Sequence, residues 1–136
     1  MSTLNIAALV DNLDTVLDFV HASLEQTDCP MRIQLQIDLA VEEAYVNIAS
    51  YAYGDTTGDC HINCTLSQDP TGIIITLIDE GVAYNPLLKE DADITLPADE
   101  RGTGGLGILL TKKVMSEVTY QRTATSNMLT LKKFWP

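Results

Sequence analysis

Glu43 and Asn47 stand four residues apart in a segment of helical apolar spacing, so a helix stacks them on one side. An Asn amide oxygen can ligate Mg²⁺, which prefers oxygen donors. A carboxylate beside it can orient or deprotonate an attacking hydroxyl, a contribution of about 10²–10⁴ in rate. By helical angle the pair flanks the stripe of Ile37, Ala44 and Ile48, which puts it at the edge of a core, where a pocket wall would stand. Taken alone, Glu and Asn at this spacing more often form a solvated helix edge.

Asp79 closes the most hydrophobic run of the chain, Ile73-Ile-Ile-Thr-Leu-Ile78. Strand alternation puts it on the side of Ile73, Ile75 and Leu77, so it is partly buried and needs a donor. An adenine amino group would serve, and Gly81 would let the backbone approach the base closely. A strand-end turn is the plainer reading of Asp-x-Gly. Gly102, Gly104, Gly105 and Gly107 then fall directly before a third helix, with Arg101 beside them and Lys112 and Lys113 further in. Unpaired N–H groups at a helix start make an anion site. The plainer reading is a hinge, although four glycines at a helix entrance are costly unless the backbone is used.

These residues need elements to position them. Residues 3–9 read as a strand, and Asp11 is placed to cap a helix with Leu13, Val16, Leu17, Val20 and Leu24 on one face. Asp28-Cys29-Pro30 breaks the chain, and a second helix is expected over about 31–52. Its stripe of Ile33, Ile37, Ala40, Ala44 and Ile48 is opposed by Leu35, Leu39 and Val46, a pattern expected of a helix covered twice, by the sheet and by a neighbouring helix or a second subunit. A strand over roughly 60–67 precedes the run 73–78, which suggests a central strand buried on both faces. A long loop precedes the third helix at 105–117, and strands near 118–124 and 127–134 close the chain.

The 136 residues fit one domain with one core, and 46% hydrophobic with 6% aromatic residues favours an aliphatic α/β core. A net charge of −11 argues against nucleic acid or an anionic membrane as partner, since either needs a basic surface. No apolar run approaches a membrane span and the N-terminus lacks a signal-peptide pattern, so a cytoplasmic protein is expected. Cys29, Cys60 and Cys64 are expected as reduced thiols. Zinc at Cys60-His61-x-x-Cys64 is disfavoured, because on a strand His61 points away from both cysteines.

The three segments in this order resemble the GHKL ATPase superfamily of gyrase, heat-shock chaperones, histidine kinases and MutL. Within it the chain looks like the small anti-sigma-factor serine/threonine kinases. Glu43-x-x-x-Asn47 matches the N box, Asp79-x-Gly81-x-Ala83 the first glycine box, and Gly105-Leu-Gly107-Ile-Leu-Leu the second. Leu129-Thr-Leu131-Lys-Lys is similar to the last strand. Tyr51 departs from the His frequent in the kinases, and Tyr84 and Asn85 from Phe and Asp.

The resemblance implies an α/β two-layer sandwich, the Bergerat fold: a mixed, mostly antiparallel sheet with helices on one face. It implies ATP and Mg²⁺ as cofactors and a lid over about 86–104. Glu43 would be the catalytic base and Asn47 the metal ligand. Asp79 would read adenine, with Gly81 and Ala83 beside the base. Arg101, Gly102, Thr103, Gly104, Gly105, Leu106 and Gly107 would line the nucleotide. The implied partners are a STAS-type antagonist, a sigma factor or other output protein, and a second copy in a homodimer. The alternative is a non-catalytic interaction module of the same fold.

Overall fold

In the computed structural model, residues 1–88 and 105–136 are described, with the backbone alone at 88 and 105–109. Strand β1 (Ser2–Ala7) leads through a 3-10 turn (Val10–Asn12) into helix α1 (Leu13–Leu24), followed by helix α2 (Met31–Tyr51). A hairpin of β2 (Asp59–Gln68) and β3 (Thr71–Asp79) follows. Helix α3 (Gly105–Val114) and the hairpin of β4 (Glu117–Arg122) and β5 (Asn127–Phe134) complete the chain. The strands form one five-stranded sheet in the order β1-β2-β3-β5-β4, and every pairing is antiparallel.

One face of that sheet carries the core. Cys60, Ile62 and Cys64 of β2, Ile73, Ile75 and Leu77 of β3, and Leu129 and Leu131 of β5 are buried. They form one cluster with Val16, Val20 and Leu24 of α1 and Ile33, Ile37, Val41, Ala44 and Ile48 of α2. Each fully buried aliphatic side chain stabilises by about 1.5–3 kcal/mol relative to exposure. Tyr45 anchors α2 to the start of the chain: its buried hydroxyl lies 2.7 Å from the Leu9 carbonyl and accepts the Leu9 N–H at 3.1 Å.

Two expectations are corrected. Asp11 caps nothing: it lies inside the 3-10 turn, and α1 starts at Leu13 after Asn12, whose amide donates to the Ala7 carbonyl at 2.9 Å. Strand β3 is central, as its apolar run indicates, but only one face is fully buried; Ile74, Thr76 and Ile78 are half-buried. An antiparallel sheet can leave one face to water, and here that face is shared with Asn63, Thr65 and Thr130. Helix α2 packs on the core with one side, while Met31, Leu35 and Leu39 on the other are 67%, 60% and 41% exposed in the single chain. It runs between α1 and α3, so its outer crest meets neither the sheet nor a neighbouring helix. No helix among the described residues is long and apolar enough to cross a membrane.

Candidate functional site

A cleft of about 610 Å³, measured with its open mouth, lies between α2, the end of β3 and the β4–β5 hairpin. Helix α2 contributes Glu43 and Asn47 one turn apart, then Ile48 and Tyr51. Asp79 stands in the wall at the end of β3, and Val82, Tyr84 and Pro86 come from the segment that follows. Val118, Tyr120, Asn127 and Leu129 supply the floor, and Thr111 of α3 the far side. The structure therefore gathers Glu43, Asn47 and Asp79, 36 positions apart at the extremes, into one cavity.

Alternation alone placed Asp79 on the buried face, and it is 5% exposed. Its Oδ1 accepts the Gly81 N–H and the Asn127 side-chain amide, both at 2.9 Å. No described hydrogen bond uses Oδ2, which leaves a carboxylate acceptor in the cavity wall. Asn127 saturates its own capacity. Its Nδ2 also donates to the Val82 carbonyl at 2.8 Å, and its Oδ1 accepts the Tyr84 N–H at 3.2 Å and the Tyr120 hydroxyl. Arg122 Nη1 closes the turn by donating to the Gly81 carbonyl at 2.9 Å.

Asn127, Tyr120 and Arg122 are site residues that the sequence reading missed. The one available signal was a polar residue at 127 in the inward register of Leu129 and Leu131.

On α2, the Asn47 side-chain amide donates to Glu43 Oε1 at 3.2 Å. That fixes the amide nitrogen on the carboxylate and turns the Asn47 oxygen into the acceptor available to a cation.

Gly81 and Ala83 do not line the cleft. A Cβ at Gly81 would lie 2.1 Å from the Ala52 carbonyl oxygen, so glycine is needed there for the approach of the end of α2. The Val82 N–H donates to that same carbonyl at 2.9 Å. Gly105, Leu106 and Gly107 open α3. Arg101, Gly102, Thr103, Gly104 and the lid expected over 86–104, apart from its first residues, lie outside the described residues.

Beneath Asp79, register pairs it with Cys60. Burial first, and then the Asp79 charge, push the Cys60 thiol up to about 12. Burial likewise raises Cys64 to about 11. Thiols held protonated are poor zinc ligands. His61 is exposed on the opposite face, and no metal-holding group of three His, Cys, Asp or Glu occurs among the described residues.

The fit to a purine nucleotide follows from these donors and acceptors. A buried carboxylate with one oxygen committed and one in the wall matches an exocyclic amino group. Ile48, Val118 and Leu129 offer apolar surface for a flat base. None of the described lining residues is basic, so the phosphates need a cation or the N–H groups opening α3.

Residues 6–133 match the histidine kinase-like ATPase domain family. The chain belongs to that family. Across 101 residues it is 32% identical to the serine/threonine-protein kinase BtrW of Bordetella bronchiseptica, covering 74% of this chain and 70% of that protein. In fold it is similar to the histidine kinase domain of a blue-light-activated histidine kinase from Erythrobacter litoralis. That likeness has a TM-score of 0.57 at 16% identity and covers 89% of this chain and 60% of the other. Membership of the histidine kinase-like ATPase family implies an ATP-binding domain, and the cleft just described lies within the matched residues.

Proposed function

We propose that this chain is a Mg·ATP-dependent serine/threonine protein kinase that acts in the cytoplasm on a small STAS-type anti-sigma-factor antagonist. In the same reading it sequesters a sigma factor or other output protein, and so regulates transcription, and it forms a homodimer. The observation that carries the catalytic part is the meeting of Glu43, Asn47 and Asp79 in one cleft. The 32% identity to a serine/threonine-protein kinase supports a protein hydroxyl as acceptor. The antagonist, sigma factor and homodimer rest on the family resemblance alone.

Each residue has a distinct task. Asp79 selects the base through its wall-facing oxygen, and Asn127 holds that carboxylate in place. Asn47 would hold Mg²⁺ through its amide oxygen. Glu43 would take the proton from the attacking Ser or Thr hydroxyl as that oxygen bonds to the γ-phosphorus and the bond from that phosphorus to the departing ADP breaks. Bound Mg·ATP supplies the transferable phosphoryl group and the cation that offsets its charge.

The alternative, a non-catalytic module whose conformation nucleotide sets, has one observation in its favour. Tyr51 lines the cleft where the kinases often carry His.

Calorimetric titration with ATP and GTP, each with and without Mg²⁺, tests the pocket. Phosphoryl transfer to purified STAS-domain proteins of the same genome, by the wild type and Glu43→Gln, tests the chemistry. Mg²⁺-dependent preference for ATP, with transfer lost and binding kept in Glu43→Gln, is the expected result. Binding without transfer to any STAS protein favours the module set by nucleotide, and silence from both nucleotides overturns the kinase reading in favour of a module that has kept the fold and lost the ligand.

A further inference from the structure

The charge of the chain is unevenly placed. Residues 1–88 hold thirteen of its nineteen acidic residues but one of its eight basic residues, Arg32. Within that half lies the uncovered crest of α2, where Met31, Leu35 and Leu39 are exposed. With exposed Glu42 they fall within about 80° of helical arc, on the side away from the buried stripe of Ile33, Ile37 and Ile48.

The neighbouring helix presents acids to this crest. His21 of α1 meets Asp38 of α2 at 2.6 Å, which fixes the side of α1 that is turned toward α2. Asp14, Asp18 and Glu25 are exposed and lie within about 60° of arc around His21. The result is an apolar ridge with anchors at i, i+4 and i+8, bordered by Asp14, Asp18, Glu25 and Glu42, with exposed Arg32 on the flank away from α1.

From this juxtaposition we infer that the α1–α2 face is a docking surface for a basic amphipathic helix of a partner protein. Anchors at helical spacing suit the apolar face of a helix laid alongside, and the carboxylates suit Lys and Arg on its borders. A second copy of this chain fits poorly, because a two-fold contact would set the same carboxylates against one another. The surface stands apart from the cleft and holds whether or not phosphate is transferred there.

The probe is a synthetic Leu/Lys peptide of amphipathic helical pattern, with a scrambled peptide of equal composition as control. Amide chemical shifts map its site and fluorescence anisotropy its affinity. The expected result is a set of shifts confined to α1 and α2, with the scrambled peptide bound at least about tenfold more weakly. Leu35→Ser with Leu39→Ser, and separately Glu42→Lys, should each weaken the helical peptide while ATP binding stays unchanged. Equal binding of both peptides, shifts centred elsewhere, or indifference to Leu35→Ser with Leu39→Ser would overturn the assignment. Concentration-dependent sedimentation abolished by that double substitution would overturn it too, by giving the crest to a second copy.

Discussion

At the scale of single residues, base recognition in the proposed reading rests on a shared burden between Asp79 and Asn127. Asp79→Asn should weaken ATP binding by about 1.5–3 kcal/mol, the value of a hydrogen bond to a charged group, read by calorimetry. Asn127→Ala should cost about 1–3 kcal/mol in folding stability, because it strands the Val82 carbonyl, the Tyr84 N–H and the Tyr120 hydroxyl. Denaturant unfolding measures that loss, and wild-type stability in the variant would remove Asn127 from its place as the hub. Gly81→Ala should cost a further about 1–3 kcal/mol by overpacking against Ala52. Asp79 was legible in the sequence because alternation inside one strand decides which face a residue takes. Asn127 was not, because it lies 48 positions away and reaches Asp79 only when β3 and β5 pair in register.

At the scale of elements, the buried hairpin β2–β3 carries a pH dependence. Cys60 and Cys64 are raised from an ordinary 9.0 to about 12 and about 11, because burial disfavours the thiolate. The folded values lie above the unfolded ones, so this contribution to stability is full below pH 9.0 and is lost as pH rises toward about 12. Urea titrations across that window should show a falling midpoint, and Cys60→Ala with Cys64→Ala should flatten the fall. Tyr45→Phe tests the anchor of α2: it should cost about 0.5–1.5 kcal/mol by removing the hydroxyl that joins the helix to the Leu9 carbonyl and N–H. The strands and helices themselves were readable from period and breakers, with ends shifted by up to three residues, the most at the end of α3. What period could not reveal was coverage. The run 73–78 is as apolar as a strand buried twice, and the Leu35–Leu39 stripe resembles a second core face. Whether another layer sits on them is decided by the rest of the fold.

At the scale of the whole molecule, the order of the three boxes was enough to indicate the family, since spacing along the chain survives where local identities change. The same order does not disclose how the boxes are held apart, and the structure does. Ala52, at the end of α2, is clasped by Gly81 and by the Val82 N–H, so the helix bearing Asn47 is tied to the turn that follows Asp79. Five residues of helix separate Asn47 from that clasp, an axial rise of about 7.5 Å. In the proposed function helix α2 would serve as a caliper with one jaw at the base and the other at the metal. Its gap is set by backbone hydrogen bonds rather than by side-chain reach. Adenosine closes on the first jaw alone, whereas Mg·ATP spans both. Asn47→Ala should therefore abolish the Mg²⁺-dependent gain of ATP over adenosine and leave adenosine affinity intact, a comparison that calorimetry makes directly. Ligands of the wrong length are refused by a rigid measure, with no need for a contact that recognises their error.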